Sequence, residues 1–304
     1  MINVFIDGAA GTTGLEIRER LASRSDLALI VLDDDRRKDS AARREALNEA
    51  DFAILCLPDD AAIEAVALIA DGGTRVIDAS SAHRVADGWT YGFPEIGFDV
   101  PNAARVSNPG CYPTGFLALV APLVRAGLVP RDWPLTVNAI SGYSGGGKAL
   151  IERFESDPDL AFRDYGFSLA HKHVPEMQRH AGLTYAPVFA PMVARAFRGM
   201  IVEVPLPLAA MPKAPSRAAI VDALQEAFAG KPLVRVNDAM PDELLIGRRA
   251  APSDRLDLFV FADAAGNQAR LVACLDNLGK GAGGAAIQNL NLMAGLDPLA
   301  GLVL

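Results

Sequence analysis

Ile2-Asn3-Val4-Phe5-Ile6-Asp7-Gly8-Ala9-Ala10-Gly11-Thr12-Thr13-Gly14 is an apolar run followed by glycines at every third position. The run Ile2–Ile6 predicts a buried strand, residues 7–14 a glycine-rich turn, and Leu15–Leu21 a helix. A second strand over Leu27–Leu32 completes a βαβ unit. The pattern continues with a strand at Phe52–Leu57, a helix at Ala61–Ala70 and a strand at Arg75–Asp78. Such alternation implies a parallel sheet wound with helices, a dinucleotide-binding architecture. The loop is G-x-x-G-x-x-G rather than G-x-G-x-x-G. It stands between a strand and a helix whose first amides can hold a pyrophosphate.

The second strand runs into Asp33-Asp34-Asp35-Arg36-Arg37-Lys38, where the adenosine ribose of a dinucleotide should lie. An acid there favours NAD through the 2′-hydroxyl, whereas arginines accommodate the 2′-phosphate of NADP. Both are present, and the cationic run favours NADP because guanidinium forks match a phosphate. Asp33 is left as a candidate ribose contact.

Asn108-Pro109-Gly110-Cys111-Tyr112-Pro113-Thr114 places one cysteine where a turn becomes a helix. Pro113 suits a first helical turn, and the apolar residues from Phe116 to Val124 continue it. The free amides there favour the thiolate of Cys111, the nucleophilic form. Cys56 and Cys274 lie inside apolar runs and read as packed strand residues.

Beyond this helix the texture changes. Runs at residues 135–140, 185–193, 200–206, 256–262 and 268–275 are β-rich, and Ala218–Ala229 is the one long helix expected among them. A mixed, largely antiparallel sheet and an α+β second domain follow. Residues 281–296 return to a helical pattern, with Ile287, Leu290 and Met293 on one face. The chain is therefore expected to be α/β with two domains, residues 1–108 with 281–304 forming a Rossmann-type domain and 109–280 a catalytic and oligomerisation domain.

With 304 residues and 51% hydrophobic content, the chain can bury two such cores. No apolar stretch approaches the roughly 20 residues that span a bilayer, and no basic leader opens the sequence, so a cytoplasmic location without membrane association is expected. Three cysteines without framework spacing fit a reducing compartment and no metal cluster. A net charge of −8 disfavours nucleic acid as a partner.

Two further motifs carry chemistry. Ser141-Gly142-Tyr143-Ser144-Gly145-Gly146-Gly147-Lys148 lets a backbone approach an anion, with Lys148 adding charge, although its glycine spacing is not that of a triphosphatase loop. In His171-Lys172-His173-Val174-Pro175-Glu176, His-x-His without further ligands is poor zinc evidence, and partnership with a cysteine is the economical reading. His83-Arg84, after Asp78-Ala79-Ser80, forms a further cationic spot beyond a strand.

Together with Tyr91-Gly92-Phe93-Pro94-Glu95 and Asp276-Asn277-Leu278-Gly279-Lys280-Gly281, these motifs resemble the N-acetyl-gamma-glutamyl-phosphate reductase family of arginine biosynthesis, in its shorter form, within the semialdehyde dehydrogenase superfamily. The motifs occur in the family's order from residue 6 to about 292. Residues 33–51 depart most from the longer form. Aspartate-semialdehyde dehydrogenase shares the architecture but usually has Asn before its cysteine, where Gly110 stands here.

The resemblance implies an oxidoreductase that uses NADPH to reduce N-acetylglutamyl 5-phosphate to N-acetylglutamate 5-semialdehyde, releasing phosphate through a cysteine thioester. It makes Cys111 the nucleophile and His171 the acid–base residue, with His173 the alternative. Gly8, Gly11, Thr12, Thr13 and Gly14 would touch the cofactor phosphates. Arg36, Arg37, Pro58, Ser80, Ser141, Gly142 and Asn277 are the remaining expected cofactor contacts. Arg84, Asn108, Lys148, Lys172 and His173 are the expected substrate contacts. A homodimer or homotetramer is implied, with a small acyl phosphate as its other partner.

Overall fold

A computed structural model describes residues 1–33, 35–70 and 73–304; Asp34 of the acidic run, Asp71 and Gly72 lie outside the described residues. Backbone contacts divide the chain into two units, Met1–Gly110 with Ala282–Leu302, and Cys111–Gly281 with Val303–Leu304.

The first unit begins with strand β1 (Ile2–Asp7), helix α1 (Thr12–Leu21) and strand β2 (Leu27–Ile30). Next comes helix α2 (Ser40–Glu49), which the sequence reading passed over. Asp39 caps it by accepting from the Ala41 amide at 3.0 Å, and it buries Ala42, Ala46 and Leu47. So small an apolar stripe in a charged segment leaves little periodic signal. Strand β3 (Phe52–Leu55), helix α3 (Asp59–Leu68), strand β4 (Arg75–Asp78) and the short strands β5 (Thr90–Tyr91) and β6 (Arg105–Ser107) complete the run.

The strands form one sheet in the order β2-β1-β3-β4-β6-β5, with every pairing parallel. Alternation along β1 sends Val4 and Ile6 into one core with Ile17 and Leu21 of α1, and Phe5 into another with Ala46, Leu47, Ala62 and Ala65 of α2 and α3. Helices thus cover both faces, which a parallel sheet requires. The order reverses at β1, where neighbours leave on opposite sides and open a crevice at the strand ends.

The second unit opens with helix α4 (Cys111–Arg125), whose residues from Tyr112 to Leu123 are all buried. It packs on the central strands of a seven-stranded sheet. In chain order the unit contains β7 (Thr136–Gly142), α5 (Gly147–Ser156), β8 (Phe162–Asp164), α6 (Val174–Ala181), β9 (Val188–Ala194), β10 (Met200–Leu206), α7 (Arg217–Ala227), β11 (Val234–Asn237), β12 (Leu256–Ala262) and β13 (Ala269–Leu275). The sheet order is β11-β12-β13-β10-β7-β9-β8. β11/β12 and β7/β9 pair parallel and the other contacts are antiparallel, so the sheet is mixed and mostly antiparallel, as the sequence texture implied. Strands β10 and β12 alternate buried with half-exposed residues, so only one face of the sheet is covered.

A π-helical turn over Gly279–Gly283 leads into helix α8 (Gly284–Met293), whose Ala286, Ile287, Leu290 and Met293 join the first unit's core beside α1. The last two residues belong to the second unit, where Asp254 and Val303 exchange hydrogen bonds at 2.7 Å, rather than to the first as the sequence reading had it.

Candidate active site

In the first unit the loop from Gly8 to Gly14 is shaped for close approach. Gly8 has φ +86°, and a Cβ there would lie 2.3 Å from the Cys56 carbonyl oxygen. Gly11 is the N-cap of α1; no side chain caps this helix and no acid sits in its first turn. Thr12 and Thr13 begin the helix, and the buried Thr12 Oγ1 has no hydrogen-bond partner. Open helical amides, a glycine cradle and an orphaned hydroxyl fit an anionic phosphate.

A cavity of about 360 Å³ continues from this loop along the ends of β1 and β2, and Arg18, Arg37, Lys38 and Arg43 line it. Arg43 is held by Asp7 at 2.8 Å. Arg36, by contrast, is absent from the lining, and its guanidinium pairs with exposed Glu45 at 3.0 Å. Asp33 accepts from the Arg36 amide at 2.9 Å. Of the four cations of this cavity, Arg37 and Lys38 belong to the run the sequence singled out, and Arg18 and Arg43 do not. Both lie on helices, Arg18 on α1 and Arg43 on α2, the helix the sequence pattern did not show.

Beyond β4, buried Asp78 accepts from Ser80 Oγ at 2.7 Å and bonds His83 Nδ1 at 2.6 Å, while the His83 ring stacks on Trp89. Arg84 is also buried: Nε donates to Asn108 O at 3.0 Å and an Nη to Ala79 O at 3.2 Å. Asn108 in turn donates to Ala282 O and accepts from Asn289, each at 3.0 Å. These contacts give Arg84 and Asn108 a positioning role at the end of β6. Pro58 is the N-cap of α3.

In the second unit Cys111 is the first residue of α4, as its motif implied. Gly281 backs it closely, since a Cβ on Gly281 would lie 2.9 Å from the Cys111 Cβ. Tyr112 donates to Met192 O at 3.0 Å and receives a 3.5 Å contact from the Tyr165 hydroxyl. Burial pushes both phenols upward in pKa, and charge on Cys111 raises them further, so neither ionises near neutrality. The His171 ring sits among Tyr165, Phe189 and His173, with centroids at 5.6, 5.0 and 4.8 Å. The His173 amide donates to His171 Nδ1 at 3.2 Å, so the neutral ring carries its proton on Nε2.

The remaining expected contacts separate into structural and exposed groups. Ser141 is buried with Oγ on the Gly142 carbonyl, and the Gly142 amide donates to Gly199 O. Asn277 is buried, donating to Ser144 Oγ at 2.8 Å and accepting from the Gly199 amide at 2.9 Å. Lys148 and Lys172 are exposed, whereas His173 is buried. Burial pushes the thiols of Cys56 and Cys274 up to about 12, leaving them protonated. Among the described residues no group of three or more His, Cys, Asp or Glu is placed to hold a metal ion, and no helix is long and apolar enough to cross a membrane.

A parallel nucleotide-type sheet, a one-face-covered mixed sheet and a helix-starting cysteine define the semialdehyde dehydrogenase class. Residues 3–102 match the family model described as semialdehyde dehydrogenase, NAD binding domain, and residues 111–277 the one described as semialdehyde dehydrogenase, dimerisation domain. The fold aligns with aspartate semialdehyde dehydrogenase II of Vibrio cholerae at TM-score 0.72 and 17% identity, covering 97% of this chain and 98% of that one. The N-acetyl-gamma-glutamyl-phosphate reductase of Trichormus variabilis is 46% identical over 98% of both chains. That of Brucella ovis is 49% identical over 96% of this chain and 98% of its own. The chain belongs to the N-acetyl-gamma-glutamyl-phosphate reductase family, an oxidoreductase family with a nicotinamide-cofactor domain.

Proposed function

We propose that the protein reduces N-acetylglutamyl 5-phosphate to N-acetylglutamate 5-semialdehyde with NADPH, releasing phosphate, as a step of arginine biosynthesis. The observation that carries this reading is Cys111 at the start of α4, backed by Gly281, in a chain nearly half identical to reductases of that name.

The Cys111 thiolate, favoured by the helix amides, attacks the acyl carbon, and the bond from that carbon to the phosphate oxygen breaks. Phosphate departs and takes up the one proton that the overall reaction consumes. A thioester remains on Cys111. NADPH, when held by the first unit, would supply the hydride that this thioester requires. The oxyanion formed in each half-reaction needs a donor, and His171 Nε2–H, fixed as donor by the amide on Nδ1, fills that role beside the α4 amides. Collapse of the second oxyanion breaks the carbon–sulfur bond, releasing aldehyde and restoring the thiolate. This gives His171 a donor's part at the oxyanion rather than the full proton shuttle that its motif implied.

For the cofactor, Gly8, Gly11, Thr12, Thr13 and Gly14 would hold the pyrophosphate, and Arg37 with Lys38, which line the adjoining cavity, would meet the 2′-phosphate. A cytoplasmic homo-oligomer fits three free thiols, the dimerisation-domain match and the open sheet face, where Ile140 and Val188 are exposed. The deciding experiment follows NADPH formation from N-acetylglutamate semialdehyde, phosphate and NADP, with aspartate semialdehyde as control. Turnover of aspartate semialdehyde alone would reassign the substrate.

A further inference from the structure

Strand β8 brings a cation to the Cys111 site that no motif had flagged. Arg163 pairs with Val193 of β9, and Val193 pairs with Ser141 of β7, so the three side chains form one row on a single face of the sheet. Ser141 and Val193 are buried, which identifies that face as the covered one. Tyr165, two residues along from Arg163, points the same way. The Arg163 guanidinium lies 4.5 Å from the Tyr165 ring centroid, and the Tyr165 hydroxyl lies 3.5 Å from that of Tyr112, the neighbour of Cys111.

Arg163 is half-buried. Its guanidinium lies against the Tyr165 ring, and no carboxylate among the described residues pairs with it. The other cations considered for substrate differ. Arg84 is bound to backbone carbonyls, and Lys148 and Lys172 are exposed. An arginine held over an aromatic face leaves the N–H groups along its edge available to a planar anion.

We propose that Arg163 binds the α-carboxylate of the acyl-phosphate substrate, an inference that rests on the function proposed above. The substrate carries two anionic groups, and geometry separates them. The phosphate is bonded to the carbon that Cys111 attacks, whereas the α-carboxylate is the far end of the chain. Arg163 stands a ring's breadth beyond the Tyr112 hydroxyl, which suits the distal anion. A bidentate guanidinium pair there sets the orientation of the substrate without taking part in bond breaking.

The test uses the full enzyme in the oxidative direction, where aldehyde and phosphate are separate reactants with separate KM values. Arg163→Met is expected to raise KM for N-acetylglutamate semialdehyde roughly 10- to 100-fold, leaving KM for phosphate and NADP and the kcat within about threefold. Arg163→Lys should recover part of that loss. With 4-acetamidobutanal, the same aldehyde without its carboxylate, wild type and Arg163→Met should perform alike. A rise in the phosphate KM instead would move Arg163 to the leaving group and overturn the assignment. So would full discrimination against 4-acetamidobutanal by Arg163→Met. Wild-type enzyme inactive on N-acetylglutamate semialdehyde would refute the proposed function first, and this inference with it.

Discussion

The loop from Gly8 to Gly14 and the surroundings of Cys111 are built by opposite means. Both begin a helix, and at the first no side chain caps the opening turn. The first works through backbone alone, with its essential parts inside seven consecutive residues. The second assembles side chains from α4, β8, β9 and the segment before α6, and borrows Gly281 from the far end of the second unit. A backbone device is written locally and tolerates little but glycine. A side-chain device is written across the fold, and its members can be altered one at a time.

Single substitutions should therefore separate the two regions. The largest effect is expected for Cys111→Ser, because an alcohol at its ordinary pKa is a poor nucleophile; turnover should fall by about 10³-fold or more. NADPH binding, followed by fluorescence titration, should stay within about twofold of wild type. Parallel loss of both would mean that the two regions are not separable.

His171→Gln comes next, with a fall in kcat of about 10²–10³, the range for removal of an oxyanion donor. Loss of a donor lowers the rate at every pH alike. A loss that instead displaces a limb of the pH profile would restore an acid–base role, and a larger loss in His173→Gln would transfer the function to that residue.

Gly281→Ala tests how tightly Cys111 is seated. The added methyl would meet the Cys111 Cβ at 2.9 Å, so the Cys111 side chain must shift by a few tenths of an ångström. A fall in kcat of about tenfold, with unchanged KM for NADPH, is expected from misplacement of that order. Unchanged kcat would show that the π-helical turn yields instead.

In the cofactor cavity, Arg37→Ala with Lys38→Ala should raise KM for NADPH by about tenfold and leave that for NADH unaltered, whereas Arg36→Ala should change neither. Sensitivity to Arg36 would mean that its pair with Glu45 breaks when cofactor binds. The smallest effect concerns the other thiols. Cys56 and Cys274 are held up to about 12, so at pH 8 only about one in ten thousand is thiolate. Iodoacetamide should enter native enzyme once, at Cys111, and mass spectrometry that finds a second label would contradict that burial.

Much of this was legible in the chain itself. Strand β10 begins and ends at the residues its apolar run predicts, as does β12, because a half-buried strand must alternate. The glycine loop and Cys111 were readable for the same reason, since each depends on neighbours within a few positions. Helix α2 was missed where three small apolar residues among charges left no clear period. Arg36 shows a different limit: the sequence shows a cation but not the direction of its side chain, and this one pairs with Glu45 outside the cavity lining.

Sequence alone thus determined the parallel βαβ start, the mixed second sheet, the glycine turn that opens α1 and the place of Cys111 at the start of α4, all of which rest on periodicity and turn chemistry between near neighbours. Only the tertiary structure decided which cations face a ligand. Pairing of β8 with β9 turned Arg163 toward the Tyr112 end of the site, burial tied Arg84 to backbone carbonyls, and Asp7 fixed Arg43 at the cofactor cavity. The physical reason is that a charged side chain takes its role from the partners that packing leaves within reach, and these range here from a near neighbour, Tyr165 for Arg163, to Asp7 on another element for Arg43.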